Sequence, residues 1–279
     1  MLRWHEDARG APGQLPPAAS YRKVRANYRI GCSGWFYRHW KGKVYPADVP
    51  MTRCFAHYQR AHDTVELNAP FYHWPPPTTV QKWAHQAVPG FKYTIKVNRL
   101  ITHLKRLHDT RELVREFSGM GDILGELMGC FLFQFPPSFR YTPERLAAIR
   151  SQLDPRRRNA VEFRHSSWWI EEVFTAFEDA GLIFCSLSSP TLPDDLVRTA
   201  DAIYIRFHGA HSWYRYDYSD EELAPWVEKI RRSKAREVWA YFNNDFEGCA
   251  FRNAQRLKEM LTQPTEKRPT NRVSSAASA

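Results

Sequence analysis

The fold of this chain is indicated most clearly by the stretch AIYIRFHGAHSWYRYDYSDEELAPWVEKIRRSKAREVWAYFN, residues 202–243. Its two ends are short β-branched and aromatic runs of the kind that form buried strands. Between them, Ser219 and Glu222 have the spacing of a helix capping box. Apolar residues then recur at helical spacing from Leu223 to Ile230. The stretch therefore predicts a strand, a helix and a second strand in that order.

The same alternation recurs along the rest of the chain. Short apolar runs predict eight strands, at residues 28–33, 64–68, 92–97, 130–135, 159–164, 183–188, 202–208 and 237–243. Strands that alternate with helices form a parallel sheet, because each parallel connection needs a crossover. Eight units within residues 28–262 match the number and length of an α/β fold of the single (β/α)8, TIM-like barrel type.

A doubly wound sheet is the alternative architecture. It would show a glycine-rich phosphate turn after its first strand, but residues 31–37 read GCSGWFY and lack the third glycine. The barrel is therefore favoured, with an irregular sixth unit. Only residues 189–201 separate the sixth and seventh strands, and Pro190 and Pro193 shorten any helix there.

The two ends of the chain are predicted to be flexible tails around a barrel domain of residues 28–262. Residues 1–27 and 263–279 are rich in Pro, Ala, Ser and Thr and lack periodic apolar residues. They carry net charges of +3 and +2, which is half of the +10 of the whole chain. The excess of basic residues is therefore weak evidence for an acidic partner of the barrel itself.

The composition excludes several classes of protein. With 43% hydrophobic and 14% aromatic residues the chain can bury a large core, which excludes disordered and collagen-like proteins. No run approaches the ~18 apolar residues of a membrane helix, and residues 1–10 lack the apolar segment of a secretory signal. The five cysteines form no CxxC pair and are expected to be reduced core thiols. We expect a cytoplasmic protein with no membrane partner.

Polar side chains end the predicted strands, where alternate residues point into the mouth of a barrel. Pairs at a spacing of two are aimed inward together by one choice of register: Glu66 with Asn68, Lys96 with Asn98, Glu162 with Arg164, Ser186 with Ser188, Arg206 with His208, and Tyr241 with Asn243. Some of these charges could pair with one another, for example Glu162 with Arg206 or Glu66 with Lys96. Desolvating several charges costs several kcal/mol each, so the whole set favours a functional site.

The residue types at the mouth are typical of a small-molecule site. Arginines on one rim suit a carboxylate or a phosphate, and aromatic side chains in the following loops suit a sugar or base ring. The predicted catalytic acids and bases are Glu66, Glu162 and His208. The predicted substrate-binding residues are Trp35, Tyr37, Asn68, Tyr72, Lys96, Gln134, Arg164, Trp168, Arg206, Asn243 and Asp245. Lys96 could also form a Schiff base, although an ion-paired or anion-binding lysine is favoured.

The sequence leaves the cofactor open. It contains no motif for an organic cofactor. A divalent metal could be held by Glu66, Glu162, His208 and Asp245 if they converge, but no HExxH or comparable spacing is present and three nearby cations oppose a metal. No metal-ligating residue is predicted.

Several strings resemble a known family, in the same order along the chain. They are GCSGWFY at 31–37, YP at 45–46, VELN at 65–68, QFPPSF at 134–139, EFR at 162–164, YIRFHG at 204–209 and YFNND at 241–245. The chain resembles the YecE-like family, number 72 among the domains of unknown function, over residues 28–262. The resemblance implies a TIM-like barrel and supplies no reaction.

Two classes of function follow. The first is an enzyme, predicted to be a hydrolase, that acts on a small anionic, phosphate- or sugar-containing molecule at the barrel mouth. The alternative is a non-catalytic nucleic-acid-binding or scaffolding protein. It would use two basic clusters, residues 156–158 and 231–236, which precede strands and so are expected at the opposite face. The oligomeric state is left open.

Overall fold

The structure, a computed structural model, describes residues 26–263 of the 279-residue chain. Its eight strands are β1 Asn27–Cys32, β2 Thr64–Leu67, β3 Lys92–Lys96, β4 Met128–Gln134, β5 Asn159–Glu162, β6 Ile183–Ser188, β7 Ala202–Phe207 and β8 Glu237–Phe242. Its α-helices are α1 Met51–Ala61, α2 Ala69–Tyr72, α3 Pro77–Gln86, α4 Arg111–Ser118, α5 Met120–Leu124, α6 Pro143–Gln152, α7 Glu171–Ala180, α8 Asp220–Ser233 and α9 Cys249–Thr262. The predicted tails, residues 1–27 and 263–279, lie outside the described residues except at their inner ends.

The strands form one parallel sheet in the order β1-β8-β7-β6-β5-β4-β3-β2. Its two edge strands, β1 and β2, meet and close the sheet into a barrel that is complete except for a narrow seam. There Ser33 and Glu66 form a parallel bridge, and the Gly34 N–H donates to the carbonyl oxygen of Glu66 at 2.8 Å. The predicted α/β TIM-like barrel is confirmed.

A side chain of α1 fills the lower part of this seam. The Tyr58 hydroxyl accepts from the N–H of Cys32 at 2.8 Å and donates to the carbonyl oxygen of Thr64 at 2.9 Å. It thereby replaces a direct hydrogen bond between β1 and β2. Gly31 lies against the same two groups, and a Cβ there would overlap the Thr64 carbonyl and the Tyr58 hydroxyl.

The barrel interior changes from apolar to charged along its axis. Its lower layers are filled by buried apolar side chains from β4 to β8, namely Cys130, Leu132, Ala160, Ile183, Cys185, Leu187, Ala202, Tyr204, Trp239 and Tyr241. Trp239 closes the lower end, where it leaves no room for a Cβ on Gly129. The layer above contains Glu66, Glu162 and Arg206, all buried. The charged groups therefore lie at the carboxyl ends of the strands, above a packed core.

The sixth unit is irregular, as expected. No helix joins β6 to β7, and residues 189–201 run back along β6 without regular structure. Their contacts replace those of a helix: the N–H of Val197 donates to the Ser186 hydroxyl at 2.9 Å, and the Thr199 hydroxyl accepts from the N–H of Phe184 at 3.0 Å. Buried backbone groups on this side of the sheet are thus satisfied by two side-chain hydroxyls.

The capping box that the sequence predicts between the last two strands is present. Ser219 and Glu222 form a capping box at the start of α8, and the Thr142 hydroxyl accepts from the N–H of Arg145 at the start of α6. All five cysteines are buried and free. Within residues 26–263, no helix has both the length and the apolar character needed to cross a bilayer.

Candidate active site

A buried guanidinium, that of Arg206 on β7, lies at the centre of the polar network. Its Nη2 donates to Oε1 of Glu66 on β2, and its Nη1 donates to Oε2 of Glu162 on β5, both at 2.6 Å. None of the three side chains is more than 1% exposed. Burial opposes the charge of Arg206, but the two carboxylates hold its pKa well above the usual range. The predicted pair of Glu162 with Arg206 is present, whereas Glu66 pairs with Arg206 and not with Lys96.

Both carboxylates are fully occupied by donors. Oε1 of Glu66 also accepts from the Ser33 hydroxyl, and Oε2 accepts from the Tyr204 hydroxyl at 2.5 Å. Oε1 of Glu162 accepts from Nε of Arg164. Burial favours the protonated form of Glu162, but Arg164 and Arg206 outweigh it and hold the pKa of Glu162 well below its usual range. Glu162 is therefore ionised at neutral pH.

The ring of His208 completes this network beside β7. Nη2 of Arg164 lies 3.0 Å from its Nε2, and Asn243 lies 3.3 Å from its Nδ1. A guanidinium can only donate, so Nε2 accepts and the ring carries its proton on Nδ1. The side-chain amide of Asn243 must then turn its oxygen towards Nδ1 to accept this hydrogen bond. Burial, followed by the charge of Arg164, lowers the pKa of His208 well below its usual range. His208 is therefore a neutral acceptor that fixes the position of Arg164.

A cavity of about 590 Å³ lies over this network at the carboxyl ends of the strands. It is lined by Tyr37, Asn68, Tyr72, Lys96, Gln134, Pro137, Arg164, Arg206, Tyr214, Asn243 and Asp245. All but two of these residues are among the substrate-binding residues predicted from the sequence. The exceptions are Pro137, in the QFPPSF string, and Tyr214, in the loop after β7. The sequence signal for Tyr214 is its position as an aromatic residue in a loop that follows a strand.

Lys96 stands at the end of β3 and differs from the other cations of the cavity. Among the described residues it forms no ion pair and no hydrogen bond, because the nearby carboxylates are occupied by arginines. Its Nζ lies 4.1 Å from the centre of the Phe71 ring. Burial, reinforced by Arg206, lowers the pKa of Lys96 to about 7 against the opposing effect of Glu162 and Glu66. Lys96 can therefore exist with and without its proton at neutral pH.

The remaining predicted residues lie outside the cavity lining. Glu66, Glu162 and His208, the predicted catalytic residues, lie beneath it and are 0% exposed. Trp168 is buried away from the cavity, where its ring stacks on Phe163 with centroids 3.9 Å apart and its Nε1 donates to the carbonyl oxygen of Phe139. Trp168 thus belongs to the core of the barrel top.

Trp35 faces a second, apolar cavity beside the first. This side cavity of about 460 Å³ lies between the loop after β1 and the helices α1 and α3, and Tyr37 and Asn68 line both cavities. Trp35 packs there on Phe55, with ring centroids 5.0 Å apart. The structure therefore places Trp35 beside the polar mouth and not within it.

The basic clusters of the alternative function lie at the opposite end of the barrel, around a groove at the amino ends of β4 to β8. Several of their arginines pair with acidic residues: Arg156 pairs with Asp154 at 2.9 Å, and Arg158 pairs with Glu237 at 3.0 Å. Arg236 lies 3.4 Å from Asp201. Such pairing reduces the positive potential of this face. Nucleic-acid binding stays a prediction.

No group of three or more His, Cys, Asp or Glu side chains is arranged to hold a metal ion within the part of the chain that the structure describes. Glu66 and Glu162 already have a donor on each oxygen, and the positive charges of Arg164 and Arg206 are adjacent. These two carboxylates, which the sequence offers as metal ligands, are thus used by guanidinium groups.

Comparison with known proteins places this chain among relatives of the same architecture. Residues 29–277 match the family model described as "Protein of unknown function DUF72". The UPF0759 protein YunF of Bacillus subtilis is 25% identical, over 83% of this chain and 94% of that protein. The UPF0759 protein YecE of Escherichia coli K12 is 31% identical over 40% of this chain and 42% of that protein.

Solved structures agree with these relatives. A DUF72 family protein from Thermotoga maritima superposes with a TM-score of 0.77 at 29% identity, over 85% of this chain and 100% of that one. One from Enterococcus faecalis, at 22% identity, shares the fold with a TM-score of 0.72 over 86% of this chain and 97% of that one. The match over residues 29–277 includes the strand ends that build the cavity, and the chain belongs to the DUF72 family.

Proposed function

We propose that this chain is an enzyme that acts on a small anionic, sugar-like molecule in the cavity at the barrel mouth. The observation that carries the proposal is that Arg164 and Arg206 both line the cavity and each has a guanidinium N–H without a partner among the described residues. Nε of Arg206 is buried without a partner, and Nη1 of Arg164 makes no hydrogen bond within residues 26–263. Unused donors of this kind suit a carboxylate or a phosphate, which accepts from guanidinium N–H groups.

The rest of the lining suits the hydroxyl groups and ring face of a sugar. Asn68, Gln134 and Asn243 contribute amides, and Asp245 contributes a carboxylate. The three tyrosines of the wall, Tyr37, Tyr72 and Tyr214, offer aromatic faces and hydroxyls. A cavity of about 590 Å³ is within the range of small-molecule sites. The lining thus supports a compact polar ligand with one anionic group.

Proton transfer in this cavity is assigned to Lys96. Hydrolysis of a glycosidic bond by two carboxyls needs one that gives a proton and another that attacks or activates water. Glu162 is held ionised, and every oxygen of Glu66 and Glu162 has a donor. Lys96, with a pKa of about 7, can both take and give a proton at neutral pH. The arrangement favours acid–base chemistry at Lys96 over hydrolysis by two carboxylates. Hydrolysis stays a prediction from the sequence.

Ligand-induced stabilisation tests the binding step. Ribitol 5-phosphate carries the hydroxyls and the anion without a reactive carbonyl, and we expect it to raise the melting temperature of the protein. At a concentration of 100 times Kd the gain is about 2.7 kcal/mol. Arg164→Gln should abolish this shift, because it removes the charge at the cavity wall. Arg156→Gln, at the opposite end of the barrel, is the matched control and should keep the shift.

Turnover is tested in D₂O by proton NMR of sugar phosphates with the wild-type protein and Lys96→Met. We expect exchange or conversion of protons beside a carbonyl with the wild type and none with the variant. Two results would overturn the proposal: no stabilisation by sugar phosphates or sugar acids, or equal stabilisation of wild type and Arg164→Gln.

A further inference from the structure

Among the described lysines that are not exposed, Lys96 alone has no polar partner. Lys229 donates to Asp194 at 3.0 Å, Lys258 donates to Asp63 at 3.1 Å, and Lys92 donates to the carbonyl oxygen of Glu126. Lys96 has no such contact among the described residues and lies against the face of Phe71. Among the described residues, its amine therefore has no hydrogen-bond acceptor and no paired carboxylate to hold it as an ammonium ion.

The charged floor of the cavity accounts for this. Arg206 takes one oxygen from each of the two buried carboxylates, and Arg164 takes another from Glu162. Lys96 is thus the third cation beside two carboxylates that are already neutralised. Every oxygen of these carboxylates has a charge-assisted hydrogen bond, which opposes an exchange of partners with Lys96.

We propose that the Lys96 amine is a nucleophile that forms an imine with the aldehyde or ketone of an anionic sugar held in the mouth cavity. The inference rests on the proposed function and adds the substrate class, a carbonyl compound, and a covalent intermediate. Its geometric basis is the position of Lys96 at the end of β3, in a cavity that Arg164 and Arg206 also line, with no ion pair or hydrogen bond on Nζ among the described residues.

The chemical step balances without any further reagent. The lone pair of Nζ forms a bond to the carbonyl carbon while the carbonyl π pair moves to oxygen. The C–O bond of the resulting carbinolamine then breaks, and the oxygen leaves as water with both amine hydrogens. An imine links Nζ to the former carbonyl carbon. Protonation of the imine nitrogen by solvent gives an iminium ion. Its carbon can then accept the electron pair that remains when a proton on the neighbouring carbon passes to solvent.

The state of the amine at neutral pH supports this role. Burial and Arg206 lower the pKa of Lys96 to about 7, so about half of its amine is neutral at that pH. For a lysine of ordinary pKa the neutral fraction is roughly a thousandfold smaller. A lysine that only bound anions would gain from keeping its proton, whereas a nucleophile must lose it.

Reductive trapping tests the proposal. The protein is incubated with ribose 5-phosphate and sodium cyanoborohydride, digested and analysed by mass spectrometry. We expect a Lys96 peptide heavier by ribose 5-phosphate minus water plus two hydrogens. Labelling of Lys96 at pH 7 should exceed that of the exposed Lys82 at least tenfold, and it should rise to half its maximum near pH 7. Lys82→Met is the matched control and should leave labelling of Lys96 unchanged.

Variants of Lys96 separate nucleophile from cation. Lys96→Arg keeps a positive charge and cannot form the imine, so it should lose the adduct and keep stabilisation by ribitol 5-phosphate. Lys96→Met should lose the adduct as well. Folding of both variants is checked by circular dichroism. If either variant fails to fold, selective labelling of Lys96 in the wild-type protein tests the imine by itself.

The outcomes distinguish the two proposals. Stabilisation by ribitol 5-phosphate without a Lys96 adduct overturns the imine and leaves the anion-binding site intact. A Lys96 adduct without any stabilisation by ribitol 5-phosphate supports the nucleophile and overturns the anion site. Labelling spread evenly over the surface lysines overturns the imine. Selective labelling of Lys96 together with stabilisation supports both.

Discussion

Replacement of Lys96 by methionine is expected to make the protein more stable at neutral pH. Lys96 forms no ion pair with any residue of 26–263, and its pKa of about 7 in the folded protein lies below the ordinary value of 10.5. Between these two values the unfolded chain binds a proton that the folded protein does not hold. The free energy of unfolding of the wild type therefore falls as the pH is lowered from 10.5 to 7. Below pH 7 the destabilisation by the buried Lys96 has reached its full value.

The magnitude follows from the width of this pH window. Each pH unit corresponds to about 1.4 kcal/mol, so the cost carried by Lys96 at pH 7 is on the order of 3–5 kcal/mol. Lys96→Met removes the ionisable group and packs an apolar chain on Phe71. We expect the variant to exceed the wild type by about this amount at pH 7. The gap should narrow by about 1.4 kcal/mol for each pH unit towards pH 10.

Urea denaturation followed by tryptophan fluorescence, at several values between pH 6.5 and pH 10, measures the effect. Lys82→Met, at an exposed position of α3, is the matched control and should stay within about 0.5 kcal/mol of the wild type throughout. A Lys96→Met variant that is less stable than the wild type at pH 7, or a gap that does not change with pH, would refute the reasoning.

Three other changes probe separate parts of the structure. Arg206→Met leaves two buried carboxylates without their shared partner and should lower the free energy of unfolding by about 3–5 kcal/mol in urea titrations; a loss below about 1 kcal/mol would contradict the ion-pair network. Burial lowers the pKa of His62 from 6.5 to about 4, so the free energy of unfolding of the wild type should fall by up to about 3 kcal/mol between pH 6.5 and pH 4. The variant His62→Gln should not show this fall. Equal pH dependence of stability in the two proteins would contradict a role for His62. Tyr58→Phe leaves the N–H of Cys32 and the carbonyl of Thr64 unpaired at the barrel seam, which should cost about 1–3 kcal/mol and speed hydrogen exchange of the Cys32 amide; unchanged exchange would show that the hydroxyl does not bridge the seam.

The barrel was predictable because two independent signals agree. The alternation of strand and helix patterns gives the parallel sheet, and the number of units gives the closure. The prolines of residues 189–201 also identified the irregular connection. The hydroxyl of Tyr58 in the seam could not be predicted, since a tyrosine on the apolar face of a helix is equally consistent with ordinary core packing.

The members of the polar network were predictable from their spacing of two along each strand, since one register aims both residues of a pair inward. Their partners were not. Glu66 pairs with Arg206 across the barrel and not with Lys96 on the neighbouring strand, because partner choice depends on the height of each side chain along the barrel axis. The hydrogen bonds of Ser33 and Tyr204 to Glu66 could not be predicted, because serine and tyrosine are also common in ordinary cores.

The loop aromatics were the least predictable part of the site. Trp168 and Tyr214 both follow strands, at the ends of β5 and β7, yet one is stacked in the core and the other lines the cavity. The sequence gives no period in these loops that could tell them apart. Likewise, the residue types of Glu162 and His208 predicted proton transfer. Only the structure shows that Arg164 and Arg206 lower the pKa of Glu162, and that burial and Arg164 lower the pKa of His208.

The most direct test of the site is a crystal structure of the wild-type protein with ribitol 5-phosphate. The ligand should lie in the cavity at the carboxyl ends of the strands, with its phosphate on Nη1 of Arg164 and its hydroxyls towards Asn243 and Asp245. Nζ of Lys96 should face the carbon that carries the carbonyl in ribose 5-phosphate. Binding at the arginine-lined groove at the opposite end of the barrel, with the mouth left free, would contradict the account.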